Sequence, residues 1–125
     1  MALAACVDSV AAVAILVSDI LAPGVWHLGL FLVATELHGD GSAQVLYQRL
    51  EAWAGDLGAQ WMRLGVVRGN ARAEAFWRKR GFVELRQRDG VEMGARVNTV
   101  RVMAKPLAGG SFAQYLALVP RDRPE

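Results

Sequence analysis

An almost unbroken apolar run from Val25 to Ala34 is the feature that most restricts what this chain can fold into. A strand that is apolar along its whole length is buried on both faces, so we expect this run to be a central strand of a sheet. The stretch His38-Gly39-Asp40-Gly41-Ser42-Ala43 follows it, and an amphipathic helix begins near Ser42. A glycine turn between a strand and a helix aims free backbone N–H groups outward, as phosphate sites require. Such glycines also commonly form only a tight turn, so this stretch alone leaves both interpretations open.

Basic residues are confined to the second part of the chain. All 14 lysines and arginines follow Gln48, together with eight of the 12 acidic residues, and they are densest between Arg63 and Arg80. This pattern is compatible with a site for a phosphorylated small molecule, a nucleic-acid surface or a solvated face. The segment contains no nucleic-acid-binding motif and no interleaved aromatic stacking residues, so nucleic acid is the least favoured of these partners.

Length and composition predict one domain with a sizeable core, since the chain has 125 residues, of which 54% are hydrophobic. The single cysteine, Cys6, cannot form an internal disulfide, which favours a reducing cytoplasm, and it is interpreted as a small buried apolar residue. The apolar start, Met1 to Leu21, lacks a positively charged beginning and is interrupted by Asp8 and Asp19. We therefore expect core strands there, and no targeting segment and no membrane span.

Hydrophobic periodicity and turn residues predict a mixed α/β arrangement. One domain is expected over residues 1–107, followed by a tail at 108–125 with a charged end that frays. The first predicted elements are one or two strands within Ala5–Ser18, a strand at Val25–Ala34, and a helix at Ser42–Gly58 with Leu46, Leu50, Trp53 and Leu57 on its apolar face. A strand at Trp61–Val67 and a helix at Ala71–Arg80, ended by Gly81, follow. The last predicted elements are strands at Phe82–Arg88 and Val97–Met103, joined by a loop containing Asp89-Gly90 and Gly94, and a short helix at Ser111–Leu118.

Two stretches resemble signatures of the GNAT superfamily of acyl-CoA-dependent N-acyltransferases. The stretch from His38 to Ala43 is similar to the acyl-CoA signature, in which Arg or Gln precedes two arbitrary residues, Gly, another residue, and Gly or Ala. The stretch from Asn70 to Phe82 is similar to the second signature: Asn, then Ala three residues later, an aromatic pair, and Gly-Phe at the start of the next strand. The resemblance covers roughly Val10 to Leu107.

The resemblance implies a mostly antiparallel twisted sheet with a central, splayed pair of parallel strands and two main helices. The strand before the glycine turn would splay from Trp61–Val67 and pair with the pantetheine arm of acetyl-CoA, while the turn would hold the pyrophosphate; no metal is implied. From the residues alone, Asn70 also fits a helix N-cap, and Phe76 and Trp77 also fit the core. The implied cofactor-binding residues are Phe31, Leu32, Val33, His38, Gly39, Asp40, Gly41, Ser42, Ala43, Asn70, Phe76 and Trp77.

The chain departs from the family pattern at its chemically important positions. His38 replaces the usual Arg or Gln, and Asp40 places a carboxylate beside the expected phosphates, which costs about 1 kcal/mol if it is exposed. Trp77 replaces the Tyr with which many members protonate the leaving thiolate, a role that an indole cannot fill. His27 and Glu36 are the candidates for a general base, but a packed strand histidine and a turn carboxylate are the more common roles of such residues.

The family normally begins with a strand and two helices that build the acceptor side of the cleft, and these are not found in this sequence. The domain is therefore predicted to be short at its N-terminus, and the apolar surface left uncovered predicts a homo-oligomer, a dimer in the simplest case.

Three functions follow as hypotheses. The first is an N-acetyltransferase that moves an acetyl group from acetyl-CoA to a small-molecule or peptide amine by direct attack. The alternative is a non-catalytic acyl-CoA-binding or dimerisation module of the same fold. The weakest is nucleic-acid binding through the basic second half.

Overall fold

A computed structural model describes residues 2–6, 10–33, 41–93, 96–107 and 110–124. No helix within these ranges is long and apolar enough to cross a membrane. The elements are β1 (Ala2–Cys6), β2 (Val10–Val17), β3 (Val25–Val33), α1 (Ser42–Asp56), β4 (Trp61–Val67), α2 (Ala71–Lys79), β5 (Val83–Met93), β6 (Arg96–Pro106), α3 (Phe112–Leu118) and a short 3-10 helix (Pro120–Asp122).

The six described strands form one sheet in the order β1-β2-β3-β4-β6-β5. The central pair, β3 and β4, is parallel, and every other pair is antiparallel. Because parallel strands need a crossover, α1 connects β3 to β4 and packs on one face of the sheet. The mixed, mostly antiparallel sheet with a central parallel pair is confirmed.

The face of the sheet under α1 and α2, here called the helix face, carries the larger core. Side chains of alternate residues on β3 and β4 pack there against both helices. The predicted apolar face of α1 is only partly right, since the helix buries Tyr47, Leu50 and Ala54, whereas Leu57 is 54% exposed. The small Ala54 lets α1 approach the sheet closely, and the ring of Tyr47 fills the space between Trp77 and Phe82.

The opposite face, here called the α3 face, is covered by the C-terminal segment. Tyr115 and Val119 pack on Val25 and Trp61, and Trp61 Nε1 donates a hydrogen bond to the Ser111 carbonyl oxygen at 2.9 Å. The predicted short helix after residue 110 is confirmed, with Ser111 as its N-cap. The expected fraying of the charged end is wrong for the 3-10 helix that follows, because this helix is anchored by a buried ion pair.

That ion pair joins Arg63 of β4 to Asp122 of the 3-10 helix. Arg63 donates from Nε to Asp122 Oδ2 at 2.6 Å and from NH2 to Oδ1 at 3.0 Å, and the Tyr115 hydroxyl donates to the same carboxylate. Burial alone would raise the pKa of Asp122, but these hydrogen bonds and the charge of Arg63 hold it below its usual value. The carboxylate is fully buried, so the C-terminal segment is attached to the middle of the sheet by a paired charge.

The β5-β6 hairpin is longer than the sequence predicts. The expected loop at Asp89-Gly90 is wrong, because both residues lie within β5, at an irregularity in register between Arg88 and Val91. Gly90 adopts a φ of +70°, which glycine takes without strain, so the chain forms a bulge there and the strand continues.

The buried ion pair predicts a large loss of stability on Asp122→Asn, since the variant leaves the charge of Arg63 buried without its counter-ion. We expect the free energy of unfolding in urea to fall by about 3 kcal/mol. Asp56→Asn removes an exposed carboxylate at the end of α1 and is the matched control, with a change within about 0.5 kcal/mol. Equal effects of the two substitutions would contradict the role of the pair.

Candidate functional site

The two central strands separate towards their C-terminal ends. Pairing of β3 with β4 ends at Leu28 and Leu64, whereas β3 stays paired with β2 as far as Val33 and β4 with β6 as far as Val67. The edge of β3 beyond Leu28 therefore has no partner among the described residues of β4. This is the splayed arrangement predicted for these strands, and it leaves backbone N–H and C=O groups of β3 available to a ligand.

Two glycines lie where the gap begins. Gly29 and Gly65 directly follow the last paired residues, and Gly29 is the extra residue of a bulge at which β3 shifts register against β2. The bulge also reverses the side-chain alternation of β3, so Phe31 packs on the helix face with Leu28 although the two residues are three positions apart. A Cβ on Gly65 would come within 2.8 Å of Val100 Cγ1, so a larger residue at this position would displace the Val100 side chain.

A cavity of about 640 Å³ lies on the helix face beside this gap. It extends from β3 to the start of α1 and along one side of α2. Its lining comprises Phe31, Gly41, Ala43, Gln44, Asn70, Arg72, Ala73, Ala75, Phe76, Trp77, Lys79 and Arg80.

Half of the cofactor-binding residues expected from the sequence line this cavity: Phe31, Gly41, Ala43, Asn70, Phe76 and Trp77. Ser42 is the first residue of α1, and Leu32 and Val33 continue β3 beyond Phe31. His38, Gly39 and Asp40, and also the candidate base Glu36, lie outside the described residues.

Gly41 turns the chain into α1. Its φ is +86°, and a Cβ there would meet nothing within 4 Å. The left-handed backbone, and not lack of space, is therefore what favours glycine at this position. Gly41 is the N-cap residue and has no side chain that could accept a hydrogen bond from the first turn of the helix.

Three aromatic side chains form the wall of the cavity nearest the gap. The rings of Phe31 and Phe76 stack with centroids 6.4 Å apart, and Trp77 contacts both edge to face. Trp77 also belongs to the core, whereas Phe31 and Phe76 are half-buried. Trp77 is thus both a core residue and part of the cavity wall, so the two interpretations from the sequence do not exclude each other.

Asn70 caps α2. Its Oδ1 accepts a hydrogen bond from the Ala73 N–H at 3.2 Å, which confirms the N-cap interpretation. The side-chain NH₂ group makes no hydrogen bond to another described residue, and it can donate to a molecule in the cavity.

Three cations of α2 also line the cavity: Arg72, Lys79 and Arg80. From the sequence, the basic segment that contains them was considered as a possible site for a phosphorylated small molecule, but they were not included among the expected cofactor-binding residues. None of the three forms an ion pair with a carboxylate in the described part of the chain, and the Arg80 guanidinium lies 5.0 Å from the centre of the Phe76 ring. By contrast, Arg78 on the same helix pairs with Glu74 and Glu84. The signal available in the sequence was the spacing of three and four residues that places these cations on the same side of α2 as Phe76.

His27 lies on the α3 face, one residue before pairing of β3 with β4 ends. Its Nδ1 is 3.1 Å from Arg63 NH1, and because arginine only donates, Nδ1 accepts and Nε2 carries the proton. Burial, followed by the charge of Arg63, lowers the pKa of His27 to about 4, with Asp122 opposing the shift. The ring is therefore neutral at pH 7 and presents no free lone pair to an ammonium group.

The low pKa of His27 predicts how stability varies with pH. The unfolded chain takes up a proton near pH 6.5 and the folded chain only near pH 4, so stability is full above pH 6.5 and falls as the pH drops towards 4. Because the ring is partly exposed, we expect the free energy of unfolding of the wild-type protein to fall by only about 2 kcal/mol over this pH window. The His27→Asn protein should not show this loss. Denaturant titrations of both proteins at each pH measure the difference, and parallel curves would contradict it.

Comparison with known proteins agrees with this architecture. The sequence profile of the acetyltransferase (GNAT) family matches residues 2–82, and the chain belongs to this family. A search of curated proteins finds no match to the sequence.

Solved structures with the same fold include three acetyltransferases. They are the ribosomal-protein-S18-alanine N-acetyltransferase of Escherichia coli (TM-score 0.71, 21% identity, 86% of this chain and 68% of that one), a GNAT-family acetyltransferase of Streptococcus pneumoniae (0.73, 19%, 86% and 66%), and an acetyltransferase of Bacillus subtilis in complex with CoA (0.67, 19%, 82% and 72%). At these identities the likeness concerns the fold.

Proposed function

We propose that this protein binds acetyl-CoA in the cavity between α1 and α2 and transfers the acetyl group to an amine by direct attack. The observation that carries the proposal is the gap between β3 and β4, which begins at two glycines and is adjacent to that cavity. An extended pantetheine arm needs a strand edge with free hydrogen-bonding groups, and β3 beyond Leu28 supplies one.

The phosphates of the cofactor would lie at the wide end of the cavity. The start of α1, at Gly41 and Ala43, offers backbone N–H groups and the positive end of the helix dipole. Arg72, Lys79 and Arg80 add side-chain charge on the facing helix. The absence of an ion-pair partner for these three cations among the described residues supports an anionic ligand.

The thioester end would lie against the aromatic wall. Phe31, Phe76 and Trp77 exclude water from one side of it, and the Asn70 amide can donate to a carbonyl of the arm. A dry wall strengthens the hydrogen bonds that β3 makes to the thioester oxygen as negative charge develops on it.

In the proposed reaction, the nitrogen of a neutral amine attacks the thioester carbon, a C–N bond forms and the C–S bond breaks. The amine proton passes to water, and the CoA thiolate leaves and takes a proton from water. Trp77 cannot donate this proton, and His27 presents an N–H and not a lone pair at its free nitrogen. Proton transfer by solvent is therefore part of the proposal.

Calorimetric titration tests the binding step, with heat of binding expected for acetyl-CoA. Arg80→Ala is expected to weaken the affinity five- to tenfold, which corresponds to about 1 kcal/mol for one partly exposed charge contact. Arg49→Ala makes the same change of charge on the exposed side of α1, away from the cavity lining, and is expected to leave the affinity unchanged. No heat at millimolar acetyl-CoA would overturn the proposal.

The alternative is a non-catalytic module that binds acyl-CoA or dimerises, and two observations favour it. Trp77 occupies the position from which a tyrosine would act, and Ile15 and Val17 on β2 are about two-fifths exposed. This alternative predicts a dimer in sedimentation experiments and no release of thiol with any amine.

Substitution of Trp77 separates the two functions. If residue 77 faces the departing sulfur, Trp77→Tyr adds a hydroxyl that can protonate it, and kcat should exceed that of the matched Trp77→Phe protein at least about tenfold. A thiol-release assay with saturating acetyl-CoA measures the ratio. Equal rates for the two variants would place the sulfur elsewhere, and no turnover by any of the three proteins would favour the non-catalytic module.

A further inference from the structure

The cations of α2 that line the cavity lie at two separate places along the helix. Arg72 is the second residue of α2, whereas Lys79 is its last residue and Arg80 its C-cap. We call Lys79 and Arg80 the basic pair. Because seven residues make almost two helical turns, Arg72 and Lys79 lie on the same side of α2 and about 10 Å apart along its axis. The positive charge of the cavity is therefore divided between the two ends of α2.

The side chain of Phe76 lies between these two places. Phe76 is one turn before Arg80, and the Arg80 guanidinium lies 5.0 Å from the centre of its ring, which is a cation–π contact. Side chains on a helix lean towards its N-terminus, so we expect Arg72 to be directed past the start of α2, away from Arg80. The charges of Arg72 and Arg80 thus do not meet at one point.

Arg72 occupies a position that the helix itself disfavours for a cation. It lies in the first turn of α2, where the positive end of the helix dipole repels positive charge. It forms no ion pair with a carboxylate in the described part of the chain. An anionic ligand at this end of α2 would relieve the repulsion.

Carboxylates of the helix face are bound to other groups. Glu74 accepts a hydrogen bond from the Gly69 N–H at 3.2 Å and pairs with Arg101 at 2.8 Å. Glu51 of α1 pairs with Lys105 at 2.7 Å. No carboxylate among the described residues forms an ion pair with either member of the basic pair, so an anion from outside the chain suits this end of α2 as well.

The topology of the sheet places Arg72 beside the start of α1. The helix α1 follows β3 and α2 follows β4, and because these strands are parallel, both helices begin at the same edge of the sheet. An anionic group bound at Gly41 is therefore within the region that Arg72 serves. The basic pair lies almost two turns further along α2, so a ligand that uses both places needs a second anionic group.

We propose that the basic pair binds the 3′-phosphate of coenzyme A, while Arg72 and the start of α1 bind its diphosphate. The inference rests on the proposed function, in which acetyl-CoA occupies this cavity. Coenzyme A carries its diphosphate and its 3′-phosphate on different carbons of one ribose, so it presents two separate anionic groups. The planar guanidinium of Arg80 suits paired hydrogen bonds to phosphate oxygens, and Lys79 adds a mobile point charge.

This assignment also defines the class of acyl donor. A thioester on the phosphopantetheine arm of a carrier protein has no 3′-phosphate and would leave the basic pair unused. The donor would therefore be a thioester of complete coenzyme A.

Two matched ligands test the assignment in calorimetric titrations of the whole chain. Dephospho-CoA differs from CoA only in lacking the 3′-phosphate. We expect the wild-type protein to bind CoA at least about tenfold more tightly than dephospho-CoA at low salt, and the ratio to shrink as salt is added. Equal affinities for the two ligands overturn the proposal.

The ratio of the two affinities should depend on the basic pair. Arg80→Gln is expected to reduce the ratio at least fivefold, and Lys79→Gln, which changes an exposed side chain, should shift it in the same direction. Arg78→Gln makes the same change of charge in the same helical turn, but Arg78 pairs with carboxylates and does not line the cavity, so this variant should keep the wild-type ratio. An unchanged ratio in both variants of the basic pair overturns the assignment.

Arg72→Gln distinguishes the two phosphate positions. Both ligands carry the diphosphate, so this variant is expected to weaken the binding of both by the same factor and to keep their ratio. Loss of the ratio in Arg72→Gln, with retention of it in Arg80→Gln, would place the 3′-phosphate at the start of α2 and overturn the proposal.

These measurements keep the inference separate from the proposed function. If CoA and dephospho-CoA bind equally well, the assignment of the 3′-phosphate fails alone, and if neither binds at millimolar concentration, the proposed function fails. In a thiol-release assay, a higher kcat/KM for acetyl-phosphopantetheine than for acetyl-CoA would assign the donor to a carrier protein and overturn the proposal.

Discussion

The loss of hydrogen bonding between β3 and β4 beyond Leu28 and Leu64 is the constraint on which the rest of this structure depends. A parallel pair at the centre of a sheet normally satisfies its backbone groups along its full length, and an interruption there leaves polar groups that need another partner. The bulge at Gly29 shifts the register of β3 against β2 at the point where β3 separates from β4. Glycine directly follows the last β3–β4 pair on both strands, as Gly29 on β3 and Gly65 on β4. On the outer sides of the gap, β3 remains paired with β2 as far as Val33 and β4 with β6 as far as Val67, so the gap is part of an ordered sheet.

Ion pairs neutralise charge on both faces of the sheet. On the helix face, Glu51, Glu74 and Glu84 neutralise cations of β6 and α2. On the α3 face, the buried carboxylate of Asp122 pairs with Arg63. Arg72, Lys79 and Arg80, which line the cavity on the helix face, have no carboxylate partner among the described residues, and in the proposed function they would bind the phosphates of acetyl-CoA.

Local patterns predicted the elements well where one physical cause dominated. The apolar run of β3, the glycine turn before α1, and the Asn70 cap of α2 all follow from burial, backbone freedom or a side-chain oxygen at a helix start. The predictions were wrong where tertiary packing, and not the local pattern, determines which residue is buried or how far a strand extends. Tyr47, and not Leu57, is the residue that α1 buries in the core. Asp89-Gly90 forms a bulge within a longer strand and not a loop.

The sequence by itself determined the order of strands and helices, the family resemblance through the stretches at His38–Ala43 and Asn70–Phe82, and half of the residues that line the cavity beside β3. Only the tertiary structure decided that His27 is neutral, that Asp122 anchors the C-terminal segment to Arg63, and that Arg86 of β5 donates a hydrogen bond to the Arg121 carbonyl oxygen. The reason is physical: spacing along the chain fixes which face of its own element a residue occupies, but charge, burial and pKa depend on residues up to 59 positions away.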